Sequence, residues 1–182
     1  MARIDLLKKK IDAYLRKEQL MRKEEYTKLE KPFLKKARKN FTVANLMFKI
    51  SEQDHFKKAL TLPEDFETYE WVIVVSYYSM YVSALAALAK IGFKSRSHAA
   101  TIVVLEHRYV HQQKNLGTKR IQQLTKAYAL SEELINKLIQ TKTRRETAQY
   151  DATPLISREN AVSALEDAEG FITKMEEILT SS

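Results

Sequence analysis

The chain has 182 residues, 45% of them apolar, with three glycines, three prolines and no cysteine. This length suits one domain, the lack of cysteine excludes disulfides, thiolate metal sites and a cysteine nucleophile, and the few turn-forming residues argue against a sheet protein. The net charge of +8 resides in residues 1–40, which hold 14 basic and 6 acidic residues, whereas residues 41–182 hold 17 of each. This local excess favours a phosphate-rich or acidic partner, although a solvated lysine-rich helix has the same composition.

The first predicted element is a charged amphipathic helix over residues 3–29. Ile4, Leu7 and Ile11 recur three and four apart, which forms one apolar seam. The seam fits packing either on the same chain or on a second copy of it. We therefore expect a basic N-terminal helix over residues 1–30 and a helical bundle over residues 31–182. The residues expected to form a basic arm on this helix are Lys8, Lys9, Lys10, Arg16 and Lys17.

The next predicted elements lead to a long apolar helix. Pro32 opens a helix, because the first helical turn tolerates a missing N–H, and residues 51–63 read as a loop with a short helical turn. An apolar helix is predicted over residues 64–91, of which Trp71–Ala89 carries no charge over 19 residues. That length is close to a membrane span, but serines and tyrosines at mid-depth favour a buried core helix, so no span is expected. Gly92 is the predicted C-terminal cap of this helix.

The remaining elements are also helical. A short basic loop, Lys94–Arg96, leads to Ser97, which has the chemistry of an N-cap for a helix ending near Gln113. A further helix is predicted over residues 119–149. The last helix follows Ser157, and its apolar residues alternate steps of four and three, as in antiparallel bundles. The pattern predicts an all-α fold.

Two segments carry a family resemblance. Residues 76–98 read SYYSMYVSALAALAKIGFKSRSH, a tyrosine pair opening a small-residue helix that ends in a glycine turn and a basic Ser-His helix start. Residues 145–151 read RETAQYD near the end of a later helix. In this order and spacing, over about residues 33–180, the chain resembles the HEPN domain superfamily, and in particular its small stand-alone prokaryotic members. The resemblance implies an up-and-down antiparallel bundle of four to five helices, here with an extra N-terminal helix.

The resemblance also implies a site and partners. HEPN members often form homodimers, and they include metal-independent RNases that place an Arg-x4–6-His motif in a cleft between two copies. Such RNases are often paired with a minimal nucleotidyltransferase in toxin–antitoxin modules. This chain keeps Arg144 and Arg145 but has Tyr150 at the histidine position. Because an unperturbed tyrosine has a pKa near 10, it is a poor general base at neutral pH, so the sequence leaves open whether the chain is an enzyme.

A second candidate site lies at the predicted helix start after the glycine turn. The predicted helix start offers free backbone N–H groups at the positive end of the helix, beside Lys94, Arg96, Ser97 and His98. This arrangement suits the binding of a phosphate or nucleotide. The alternative is that His98 packs against the helix of Tyr77 and bonds to backbone.

A pair of histidines forms a third candidate site, one for a metal ion. His107 and His111 are four apart on a predicted helix, a spacing that suits two ligands of a transition metal, but Glu106 does not produce the HExxH order of a zinc hydrolase. A solvated polar stripe with Arg108 and Gln112 is the alternative that we favour. We therefore expect no metal and no cofactor.

The sequence thus favours one function and leaves an alternative. The favoured function is a HEPN-type interaction module that binds RNA, a nucleotide or a nucleotidyltransferase partner as a homodimer, in a toxin–antitoxin-like context. The alternative is a toxin-like, metal-independent endoribonuclease that uses Arg144 or Arg145 with Tyr150 or His98. No apolar secretory segment follows Met1, so a cytoplasmic location is expected.

Overall fold

The computed structural model describes residues 2–127 and 157–180. About four fifths of this part is helical, and its strands form one two-stranded sheet, which confirms the all-α prediction. The elements in chain order are α1 (Ala2–Arg16), β1 (Leu20–Arg22), a 3₁₀ helix (Glu24–Leu29), α2 (Glu30–Glu52), α3 (Asp54–Ala59), α4 (Tyr69–Lys90), β2 (Phe93–Ser95), α5 (His98–Leu105), a π-helix (Glu106–Gln112), α6 (residues 118–127 within the described part) and α7 (Arg158–Thr180).

The bundle is built around α4, which lies between α2 and α7. Buried Ala44 of α2 packs with Tyr69 and Val72 of α4 and with Ala161 and Leu165 of α7. Alanine at such a position lets two helix backbones approach closely. Helices α2 and α7 therefore each present one apolar stripe to α4, which is itself buried on most sides, as expected for the central helix of a bundle.

Polar contacts at the helix ends establish the helix directions. The end of α2 meets the start of α7, where Arg158 donates to Glu52 over 2.7 Å. The end of α4 meets the end of α7, where Lys90 Nζ donates to the carbonyl of Leu179 over 2.7 Å. Hence α2 runs antiparallel to both α4 and α7, in an up-and-down arrangement.

The apolar helix α4 is the central helix of the core. It has the length and composition of a membrane span, but 78% of its most apolar 18-residue stretch is buried inside the protein. Two of its three serines bond within the helix, since Ser79 donates to the carbonyl of Ser76 over 2.6 Å and Ser83 to that of Met80 over 2.8 Å. The buried hydroxyl of Ser76 has no hydrogen-bond partner in the part of the chain that the structure describes. The helix begins at Tyr69 rather than at residue 64.

The turn after α4 is the one predicted from its glycine. Gly92 adopts φ +75°, a left-handed conformation that lacks a steric penalty only for glycine. Its carbonyl accepts a hydrogen bond from the backbone N–H of Lys23 over 2.9 Å. The glycine turn therefore joins the end of α4 to the N-terminal part of the chain.

The prediction of one helix over residues 3–29 is wrong beyond Arg16. The chain reverses at Glu18, which has a positive φ of 54°, and β1 then pairs antiparallel with β2, with Leu20 opposite Ser95 and Arg22 opposite Phe93. Part of the predicted basic loop Lys94–Arg96 is thus a strand. This pairing joins segments more than seventy residues apart, so tertiary contacts overrode local helix preference.

Helix α1 packs on its own chain. Leu7 and Ile11 belong to the main core cluster, together with residues of α4 and α5. Arg3 donates to Glu106 over 2.7 Å and the N–H of Arg96 to the carbonyl of Gln19 over 2.9 Å, so α1 runs antiparallel to α5 and the π-helix. The domain division between residues 30 and 31 stays a prediction, because packing alone does not show whether the bundle folds without α1.

Candidate functional site

The site predicted from the arginine and tyrosine motif lies outside the described residues. Arg144, Arg145 and Tyr150 fall between residues 127 and 157, the two described positions that flank this gap. Their roles stay predictions. The described candidate site is the start of α5, where Ser97 and His98 stand beside the tyrosines of α4.

Ser97 is the N-cap of α5, as predicted. Its backbone is extended (φ −133°, ψ 130°), and its hydroxyl accepts from the N–H of Ala100 over 3.4 Å. Its carbonyl accepts from the hydroxyl of Thr101 over 3.0 Å. The cap satisfies one first-turn donor and fixes the direction in which His98, the first residue of the helix, projects.

His98 is held between two tyrosines of α4. Its Nδ1 forms a hydrogen bond with the hydroxyl of Tyr77, which is 2% exposed. Its ring stacks on Tyr81, with centroids 4.0 Å apart and an interplanar angle of 22°. The predicted packing of His98 against the Tyr77 helix is therefore observed, with a phenol as a partner. Two contacts from one rigid helix hold the imidazole in one orientation.

The tyrosine that stacks on His98 is itself constrained. Burial raises the pKa of Tyr81, and a hydrogen bond with Thr101 acts in the opposite direction. Because Thr101 lies one turn after Ser97, the cap, the histidine and the tyrosine form one connected cluster. A neutral phenol at this position favours a structural and stacking role over proton transfer.

The two basic residues of the candidate site differ in their surroundings. Lys94 lies on β2, is half-buried, and places Nζ 5.7 Å from the ring centroid of Tyr26. The side chain of Arg96 is exposed, whereas its backbone N–H is held by Gln19. Arg96 is thus available to an incoming anion, and Lys94 is in part committed to an aromatic ring.

A comparison with protein families shows to which family this chain belongs. A family model described as HEPN domain matches residues 53–178. The chain belongs to the HEPN domain family. The matched range contains α4, α5 and all but the last two residues of α7, and hence Tyr77, Tyr81 and His98. In general terms, the functions of this family concern RNA or nucleotides. A search of the curated proteins gives no match for this chain.

The basic arm precedes the HEPN match. All five residues of the arm are exposed on α1 and the turn after it, whereas Leu7 and Ile11 of the same helix are buried in the core. The arm is therefore a solvated charged surface on a helix that is docked to the HEPN domain, in agreement with the amphipathic pattern.

The histidine pair of the HEPN domain lies on the π-helix. His107 is 7% exposed, so the solvated-stripe interpretation is wrong for this residue. Burial lowers the pKa of His107, and the nearby charges of Arg108, His111 and Lys8 add to this effect. His111 Nε2 lies 3.5 Å from a carboxylate oxygen of Glu106, which also accepts from Arg3. Within the described residues, no group of three or more histidine, aspartate or glutamate side chains has an arrangement that could hold a metal ion.

Several contacts around His98 were not anticipated. Tyr81 follows Tyr77 by four residues, so helical spacing alone indicates that both rings share a face. Tyr26 and Gln19 carry no such signal, because they reach the site only through the pairing of β1 with β2. The ring of Tyr26, which contacts Lys94, and the backbone carbonyl of Gln19, which accepts from the N–H of Arg96, thus come from a segment outside the HEPN match.

Proposed function

We propose that this protein is a HEPN-type interaction module that binds the phosphate groups of RNA or of a nucleotide at the start of α5. The observation that carries the proposal is the cluster of Ser97, His98 and Arg96. The cap and two tyrosines hold the imidazole rigidly at the positive end of α5, and the exposed Arg96 lies two residues before it in the chain. A helix start with preorganised donors favours an anion.

Binding without efficient cleavage is the activity that the residues support best. Tyr150 occupies the position where nuclease members carry histidine, and a tyrosine is a weak general base at neutral pH. His98 has Nδ1 engaged by Tyr77, which favours a positioning role for the imidazole. The retained Arg144 and Arg145 suit phosphate contacts.

The assembly that we propose is a cytoplasmic homodimer that associates with a small nucleotidyltransferase, in a toxin–antitoxin-like context. This part rests on family membership and on the basic arm, whose five exposed charges add attraction for a polyanion. Light scattering of the purified protein, alone and mixed with a minimal nucleotidyltransferase, tests it. A protein that is monomeric and does not bind the nucleotidyltransferase would overturn the proposed assembly.

The phosphate site is tested by binding of ATP and of a short single-stranded RNA to wild type, Arg96→Ala and His98→Ala. We expect both variants to bind several-fold more weakly, with the loss largest at low salt. Lys119→Ala is the matched control, because it removes an exposed charge from α6 instead. Wild-type affinity in both site variants would refute the site.

Wild type and Arg145→Ala, incubated with the same RNA, test for nuclease activity. If wild type degrades the RNA and Arg145→Ala does not, the endoribonuclease alternative replaces the binding module. If both leave the RNA intact, the binding module stands. Equal degradation by both points to a contaminating nuclease, and a further purified preparation then decides.

A further inference from the structure

The outer face of α2 carries a row of lysines that the HEPN match does not include. Between residues 31 and 51 the helix exposes nine residues and contains no acidic one. Five of the nine are lysines, which we call the lysine track: Lys31, Lys35, Lys36, Lys39 and Lys49. The match begins at residue 53, so the track is a feature of this chain that family membership does not assign.

The spacing of the track suits a linear polyanion. Lys31, Lys35 and Lys39 follow one another at four-residue intervals, so they lie on one side of the helix about 6 Å apart. From Lys31 to Lys49 the track extends about 27 Å along the axis, which is about the length of eight nucleotides at the rise of one duplex strand.

The track is displayed on a rigid support. Ala37 and Ala44, on the opposite side of α2, are fully buried, so the core fixes the helix along its length. The remaining cation of this stretch, Arg38, is held by Glu176 of α7 and is not part of the track. A partner therefore meets a preformed row of charges, and the backbone needs no ordering on binding.

In the part of the chain that the structure describes, none of the five lysines forms an ion pair with a carboxylate. Ion pairs there involve other side chains, such as Arg38 with Glu176 and Lys174 with Glu177. Like charges at i, i+4 destabilise a helix slightly. A row of phosphates removes this repulsion and releases counterions on binding.

A nucleic acid fits this face better than a membrane does. The only large apolar side chains exposed on it are Val43 and Leu46, whereas a helix that inserts into a membrane surface needs a wide apolar face. The apolar stripe of α2 is already used by the core. We propose that the lysine track binds the phosphate backbone of single-stranded nucleic acid, independently of base sequence, at a surface separate from the start of α5.

The test compares two triple variants of the full chain. Lys31→Gln/Lys35→Gln/Lys39→Gln alters the track, and Lys114→Gln/Lys119→Gln/Lys126→Gln removes the same charge from exposed lysines elsewhere. A labelled 12-nucleotide RNA is titrated at several salt concentrations, and circular dichroism checks that both variants are folded. The track variant should lose at least tenfold in affinity at low salt, and its salt slope should fall by about 2, because each phosphate contact contributes about 0.7.

The inference is overturned if both triple variants lose affinity equally, since net charge alone would then explain binding, or if the track variant binds as wild type does. Single-stranded DNA of the same length should show the same loss as RNA. Binding to vesicles of anionic lipid without binding to RNA would also overturn it. ATP binding should persist in the track variant but weaken in Arg96→Ala, so failure of the proposed site and failure of the track are distinguishable.

Discussion

The contact between α2, α4 and α7 supports a quantitative prediction. The hydroxyl of Tyr69 donates to one oxygen of Glu52 over 2.6 Å, and Arg158 donates to the other over 2.7 Å. Burial, followed by the bond to Glu52, raises the pKa of Tyr69 to about 12. The same bond lowers the pKa of Glu52 below its usual value of 4.5, and Arg158 lowers it further.

Replacing Tyr69 by phenylalanine removes this bond without changing the core volume. A hydrogen bond to a charged group contributes about 1.5–3 kcal/mol. We take the lower end, about 1.5 kcal/mol, because the Glu52 side chain is 22% exposed and keeps Arg158 as a partner. For a chain of this size, that loss lowers Tm by about 3–6 °C. Urea unfolding at pH 7 measures the loss in free energy of unfolding, and thermal unfolding at the same pH measures the change in Tm.

The pH dependence of this stability loss tests whether the charge of Glu52 causes it. A carboxyl whose folded pKa is lowered stabilises the protein above pH 4.5 and ceases to do so as the pH falls through the folded value. The cost of Tyr69→Phe should therefore shrink in strong acid. It should also fall to about 0.5–1 kcal/mol in a Glu52→Gln background, where the acceptor is neutral. Tyr78→Phe, on the exposed side of α4, is the control. A cost that is the same in acid and in the Glu52→Gln background would refute the reasoning.

Three further predictions concern local features. Ser97→Ala should cost about 1 kcal/mol in urea unfolding, because it removes the cap on Ala100; an unchanged midpoint would contradict the cap. Gly92→Ala should cost about 1–2 kcal/mol, since alanine disfavours φ +75° and its Cβ would lie 3.2 Å from the carbonyl oxygen of Lys23; equal stability would contradict it. The lowered pKa of His107 means that the unfolded chain takes up a proton first as the pH falls below 6.5, so stability drops there by up to about 1.4 kcal/mol per pH unit. His107→Gln should flatten this slope, and an unchanged slope would assign it to other groups.

The candidate site was predictable only in part. The cap at Ser97 and the placement of His98 against the Tyr77 helix follow from local chemistry and helical spacing, and the structure has both. The second ring on His98 comes from Tyr81, whose stacking depends on the angle at which α5 meets α4. That angle follows from packing of whole helices, so no local pattern specifies it.

Local sequence patterns determined the elements whose causes are local. The all-α fold, the core helix α4, the turn at Gly92 and the final helix after Ser157 each depend on apolar spacing, a cap or a backbone conformation within a few residues. Tertiary structure alone decided where α1 ends. The strand pair β1–β2, the docking of α1 and the commitment of Lys94 to Tyr26 join segments distant in sequence. Local preference does not specify such contacts, because the free energy that offsets the reversal of the chain at Glu18 comes from burying Leu20 and Phe93 in the shared core.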